Sequence, residues 1–189
     1  MMIDFTNDIE SCLQTLKSGG IILYPTDTIW GIGCDATNEA AIEKIIALKK
    51  RPSEKSFVVL VADERTVLQH ATNIDLAVFD FLETTEKPTT VIYENAIGFA
   101  DTILASDGSV AIRICNDEFC RHLIKRFQKP LVSTSANISG MAYPEIFNDI
   151  DANIKQGVDY IVQYRQNETR AAQASSIIKW VDGKPVFIR

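Results

Sequence analysis

The sequence has no apolar run long enough to span a bilayer, no Cys-x-x-Cys pair, only two histidines and no excess of positive charge. Each absence removes a class of function. A membrane-spanning helix needs about 20 consecutive apolar residues. The N-terminus, MMIDFTNDIE, is acidic where a secretory signal would be basic and then apolar, so a cytoplasmic protein is expected. Cys12, Cys34, Cys115 and Cys120, with His70 and His122 far apart, match no zinc spacing and read as reduced core thiols. The net charge of −6 argues against a surface coated wholesale with nucleic acid, so any anion site has to be local. Neither a G-x-x-x-x-G-K-[ST] loop nor a G-x-G-x-x-G fingerprint occurs, so a nucleotide would have to be held by side-chain cations and hydroxyls.

What is present suffices for a core. The 189 residues are 46% hydrophobic, and no Gly/Ser- or Pro-rich linker divides them, which predicts a single α/β domain over residues 1–189. Asn7 with Glu10 marks a helix start, Ile9, Cys12, Leu13 and Leu16 one apolar face, and Gly19 the stop. Further helices are expected near residues 38–50, 64–70, 74–84, 116–127 and 143–154. Strands are expected at 20–24, 56–61, 89–93, 110–114, 131–133, 160–163 and 176–180, with a last hairpin turned at Asp182-Gly183 into 186–189. Strands and helices without strict alternation predict a mixed, twisted sheet with helices packed on it.

Three segments look outward. PLVSTSANISG, residues 130–140, leaves an apolar strand for a succession of hydroxyls, a carboxamide and a glycine, where a core strand would continue with β-branched or aromatic residues. Ser133, Thr134, Ser135, Asn137 and Ser139 suit phosphate, ribose or carboxylate groups; a solvated Ser/Asn turn would read the same way. LYPTDTIWGIGCDA, residues 23–36, passes from a strand through Pro25 to Thr26, Asp27 and Thr28 and then to Gly31 and Gly33. LKKRPSEKSFVVLVAD, residues 48–63, ends a helix in Lys49, Lys50 and Arg51, stops it at Pro52, and places Lys55 before a buried strand. Cations at a helix C-terminus are favoured by the dipole in any protein. Arg51 can also fork to two phosphate oxygens, whereas the lysines act as point charges. Arg113, in the apolar strand VAIRI, needs a partner, and an anionic ligand or a structural carboxylate would each serve.

Together these motifs, YPTDT-x-x-G-x-G, Lys-x-Arg-Pro, VAIRI, STSANISG and a late ASSII, resemble the YrdC-like family of threonylcarbamoyl-AMP synthases, which act in tRNA modification. The resemblance runs from the first helix to Arg189. It implies a YrdC-like fold with a concave, positively charged groove. It also implies formation of threonylcarbamoyl-AMP and pyrophosphate from L-threonine, bicarbonate and ATP, with magnesium on the phosphates. By resemblance, Thr28 and Arg113 hold threonine, Arg113 through the carboxylate, with Ser135 and Ser175 adding hydroxyl contacts. Lys49, Arg51 and Lys55 bind the triphosphate, Asn137 reaches the nucleotide, and Arg189 lies near ATP. The step needs positioning and charge neutralisation, so no residue is assigned as nucleophile or base and no protein metal ligand is expected. The related YciO-like branch typically lacks the Lys-x-Arg-Pro and Ser-Ala-Asn signatures, and both are intact here. The chain ends without the additional C-terminal domain of longer synthases, so partner proteins are expected to complete transfer to tRNA. Asp27 stands for the commoner glutamate, Trp30 for tyrosine, and Ala174-Ser175-Ser176 for Pro-Ser-Thr; the middle strand's lead-in has Pro88 but no glycine. Residues 94–108 match nothing in the family pattern. The alternatives are a non-catalytic RNA-binding protein, for double-stranded RNA or tRNA, or a ribosome-maturation protein using the same groove, which would want aromatic platforms, and an inactive scaffold.

Overall fold

The structure, a computed structural model, describes residues 5–51, 57–169 and 173–188. Helix α1, Thr6–Lys17, buries Ile9, Cys12, Leu13 and Leu16, the face that its apolar spacing predicts. Helices α2 (Glu39–Lys49), α3 (Glu64–His70), α4 (Ala77–Thr84), α5 (Glu118–Phe127) and α6 (Ala152–Gly157) follow. Asn38, Asp63 and Asp117 cap α2, α3 and α5 by accepting from the backbone N–H three residues on.

The strands are β1 (Ile22–Tyr24), β2 (Gly31–Asp35), β3 (Val58–Val61), β4 (Thr89–Tyr93), β5 (Val110–Ile114), β6 (Leu131–Ser135), β7 (Tyr160–Ile161), β8 (Ser176–Val181) and β9 (Lys184–Phe187). They form one mixed sheet in the order β7-β1-β2-β6-β3-β5-β4-β8-β9. The pairs β1/β7, β3/β5 and β4/β8 are parallel and the rest antiparallel. The mixed α/β architecture is the one the sequence predicts. At the β8/β9 turn both Asp182 and Gly183 have positive φ, 50° and 73°, as a two-residue hairpin requires.

Three expectations need correction. Gly31 and Gly33 lie in a strand, β2, not in a loop. β6 continues through Thr134 and Ser135, because β2 pairs with it as far as Gly31↔Ser135. The helix expected over 143–154 is absent: Pro144 is buried, a single 3-10 turn forms at Phe147–Asp149, and α6 starts afresh at Ala152 with Asp151 accepting from the Asn153 N–H at 2.7 Å.

Asp8 ties α1 to the sheet's edge. Its buried carboxylate accepts from the Tyr160 hydroxyl at 2.6 Å and from the N–H groups of Gln163 and Tyr164 at 2.9 Å. All four cysteines are buried and free, and burial pushes the thiols of Cys12, Cys34 and Cys120 well above their ordinary pKa. No described helix is long and apolar enough to cross a membrane.

Candidate active site

The central strands β2, β6, β3 and β5 bring the hydroxyl segment beside the arginine strand. Gly33 and Val58 both face Ser133 across the ladder, and Leu60 faces Arg113. Gly33 sits where a Cβ would come within 2.6 Å of both the Tyr24 ring and the Val132 carbonyl. The glycine is thus a packing requirement of the sheet.

Over these strands lies a cavity of about 410 Å³. Thr28, Arg51, Arg113, Ser133, Thr134, Ser135 and Ser175 supply its polar lining, and Ile29, Val58, Ala174 and Ile177 its apolar part. Of the residues assigned by resemblance, Thr28, Arg51, Arg113, Ser135 and Ser175 meet here. Segments far apart in the chain deliver them.

Arg113 is 5% exposed. Its Nη2 donates to Asp27 Oδ1 at 3.0 Å and to Thr28 Oγ1 at 3.2 Å, while its buried Nε has no hydrogen-bond partner. Of the two partners open at the sequence level, the structural carboxylate is therefore present, and the guanidinium still has a donor to spend on an anion. Thr26 braces the segment. Its hydroxyl lies 3.0 Å from Thr28 Oγ1, donates to the Ile29 carbonyl at 2.8 Å and accepts from the Thr28 N–H at 3.0 Å. Ser175, buried, lies 2.9 Å from Thr90 Oγ1.

Lys49 and Arg51 diverge because Lys50 takes a left-handed conformation, φ 49°, at the end of α2. Arg51 reaches the cavity, its guanidinium 4.5 Å from the Phe57 ring centroid, and burial lowers its pKa from the ordinary arginine value. Lys49 is 1% exposed and turns the other way, donating to the carbonyls of Ser135 and Asn137. Asn137 in turn donates its amide to the carbonyls of Ile138 and Met141. Asn137 is part of the loop after β6, Lys49 holds that loop from behind, and neither is among the described residues lining the cavity. Lys55 and Arg189 lie outside the described residues.

Two residues with a part in the site carried no assignment. Asp27 belonged to a motif, but nothing in sequence pairs it with Arg113. Tyr143 lines the cavity, and the helix expected around it hid that. A larger cavity of about 650 Å³ has Asp27 in its wall, with Asp63, Glu64, Glu83 and Glu86 against Arg65, Lys87 and Arg121. Its carboxylates repel a polyphosphate. Among the described residues no group of three or more His, Cys, Asp and Glu side chains is arranged around a metal position.

Known proteins resemble this chain in sequence and in fold. Residues 14–189 match the model of the Sua5/YciO/YrdC family, described as telomere recombination. A threonylcarbamoyl-AMP synthase of Idiomarina loihiensis is 32% identical over 156 residues, 81% of this chain and 83% of that protein. Another from Photobacterium profundum is 28% identical over 177 residues, 90% and 96% of the two chains. P. abyssi Sua5 complexed with L-threonine superposes with a TM-score of 0.85 at 21% identity; all of this chain is covered, and it spans 55% of that protein. E. coli YciO superposes with a TM-score of 0.82 at 20% identity, over 97% of this chain and 88% of that one. These two structures speak for the fold, while the family model and the sequence relatives reach across most of the chain: it belongs to the Sua5/YciO/YrdC family.

Proposed function

We propose that this chain is an L-threonylcarbamoyladenylate synthase, forming threonylcarbamoyl-AMP and pyrophosphate from L-threonine, bicarbonate and ATP for tRNA modification. The observation that carries the reading is one cavity holding two arginines among neutral hydroxyls, with no cysteine, histidine or carboxylate among the described residues of its lining. Such a lining suits a reaction driven by positioning and charge neutralisation. The names of the relatives point the same way.

In this reading the threonine amine condenses with bicarbonate to a carbamate with loss of one water, and the carbamate oxygen attacks the α-phosphate of ATP as pyrophosphate leaves. Arg113 receives the threonine carboxylate on its remaining N–H groups, oriented by Asp27, while Thr28, Ser135 and Ser175 offer hydroxyls. Arg51 neutralises the triphosphate, and Lys55 and Arg189 belong to the same nucleotide side. Lys49 and Asn137 act there by fixing the loop that faces ATP. Magnesium enters as part of the nucleotide substrate, carried on the phosphates. The product passes to downstream proteins that transfer it to tRNA, in the cytoplasm.

Against the RNA-only alternative, the aromatic within the first motif is not displayed. Trp30 is buried, its ring centroid 4.8 Å from that of Phe147, and offers no platform for a base. The test of the synthase reading is pyrophosphate release by the pure protein with Mg·ATP. Release that requires both threonine and bicarbonate is expected. Release indifferent to threonine, or none from folded protein, refutes the reading.

A further inference from the structure

Among the described residues Tyr143 is the one aromatic side chain lining the cavity, and at 43% exposure it leaves much of its ring uncovered. A tyrosine ring ordinarily gains by burial. Here the backbone leading to it is held in place: Ser139 N–H donates to the Lys49 carbonyl at 2.8 Å, Met141 N–H to the Ile138 carbonyl at 3.1 Å, and the Asn137 amide to the Met141 carbonyl. On its other side Pro144 is buried and restricts Tyr143 to extended conformations. Among the described residues its ring makes no aromatic contact and its hydroxyl no hydrogen bond. The other lining residues account for the charged and hydroxyl-bearing parts of a nucleotide, through Arg51 and Ser133 to Ser135. Ile29, Val58, Ala174 and Ile177 add apolar surface, but among the described lining residues only Tyr143 offers a flat ring for the base to stack on.

We infer that Tyr143 is the nucleobase platform of this site, stacking the purine of ATP while Arg51 faces the phosphates. The inference rests on the proposal that ATP is a substrate. A stacked ring contributes through its face, so the hydroxyl is dispensable and phosphate binding is independent of it.

The test is calorimetric titration of wild type, Tyr143→Ala and Tyr143→Phe with ATP and, separately, with inorganic tripolyphosphate. Tyr143→Ala is expected to weaken ATP by about 5–150-fold, the range for loss of one base–aromatic stack, and to leave tripolyphosphate unchanged. Tyr143→Phe is expected to bind ATP like wild type. Equal losses for both ligands, no loss for ATP, or failure of Tyr143→Phe overturns the inference while leaving the synthase reading standing. Wild-type protein that binds tripolyphosphate but gains nothing from the adenosine also overturns it. Wild-type protein that binds neither ligand refutes the substrate reading, and the platform with it. Because Tyr143 is exposed, its removal empties no core, and unchanged melting of the alanine variant checks this.

Discussion

Arg51 and Arg113 carry the same charge but are held in different ways, and this makes their roles separable. Arg113 is fixed by Asp27 and Thr28, so Arg113→Ala would strand a nearly buried carboxylate at a cost of about 3–5 kcal/mol in stability. Arg113→Lys is the cleaner probe, since it keeps a cation beside Asp27 but loses the planar fork. Threonine binding is expected to weaken by about 1–3 kcal/mol in that variant, with ATP binding little changed. Arg51→Lys is expected to do the reverse, because Arg51 reaches the cavity from the end of α2, its guanidinium beside the Phe57 ring and away from Asp27 and Thr28. Titrating each variant with each ligand checks both. Equal losses for the two ligands in both variants would mean that the arginines provide only a common field.

At the scale of elements, Gly33 shows why part of the fold was illegible. Strands announce themselves by β-branched and aromatic residues, and GIGCD has one isoleucine between two glycines. The reason for the second glycine lies in Tyr24 and Val132, contacts made only once the sheet has formed. Gly33→Ala is therefore expected to destabilise the protein by about 1–3 kcal/mol through overpacking, read as a lower urea midpoint; an unchanged midpoint would show that β1 and β6 can move apart. α3, by contrast, was legible to the residue, because Asp63 caps it and its apolar face is local in sequence. The cavity was partly legible. Arg51, Arg113, Thr28, Ser135 and Ser175 carry motif signatures, whereas the opposite aims of Lys49 and Arg51 follow from a single left-handed residue that sequence does not mark. Tyr143 was lost because a helix was expected over 143–154, where Pro144 is instead a buried anchor in a loop.

For the whole molecule, the buried thiols set the alkaline limit. Cys12, Cys34 and Cys120 have folded-state pKa values raised by burial above the ordinary 9.0. The unfolded chain releases these protons near pH 9 and the folded chain does not. Their contribution to stability is therefore fully present below about pH 9 and is lost as pH rises, by up to about 1.4 kcal/mol per pH unit for each group. Tyr160, pushed up to about 12, adds to the loss at higher pH. Urea midpoints are expected to hold between pH 7 and 8.5 and to fall steeply by pH 10.5. Native protein at pH 8 is expected to resist thiol alkylation, with all four cysteines reacting after denaturation. Flat stability to pH 10.5, or rapid native labelling, would show that these groups are more open than the structure has them.

The order in which the sheet is threaded bears on how the protein is made. β1 pairs with β7, Ile22 opposite Tyr160, and β4 pairs with β8, Thr90 opposite Ile177. The cavity likewise takes Thr28 from near the start of the chain and Ser175 from near its end. On a ribosome adding 5–20 residues per second, β1 waits roughly 7–28 s and β4 roughly 4–17 s for partners not yet synthesised. Contacts so distant in sequence also slow folding after release, towards the millisecond-to-second range. Until then β1, β2 and β3 present apolar edges without their full complement of neighbours. The site thus cannot assemble before Ser175 has been made, and the interval before it forms is when a chaperone has most to protect.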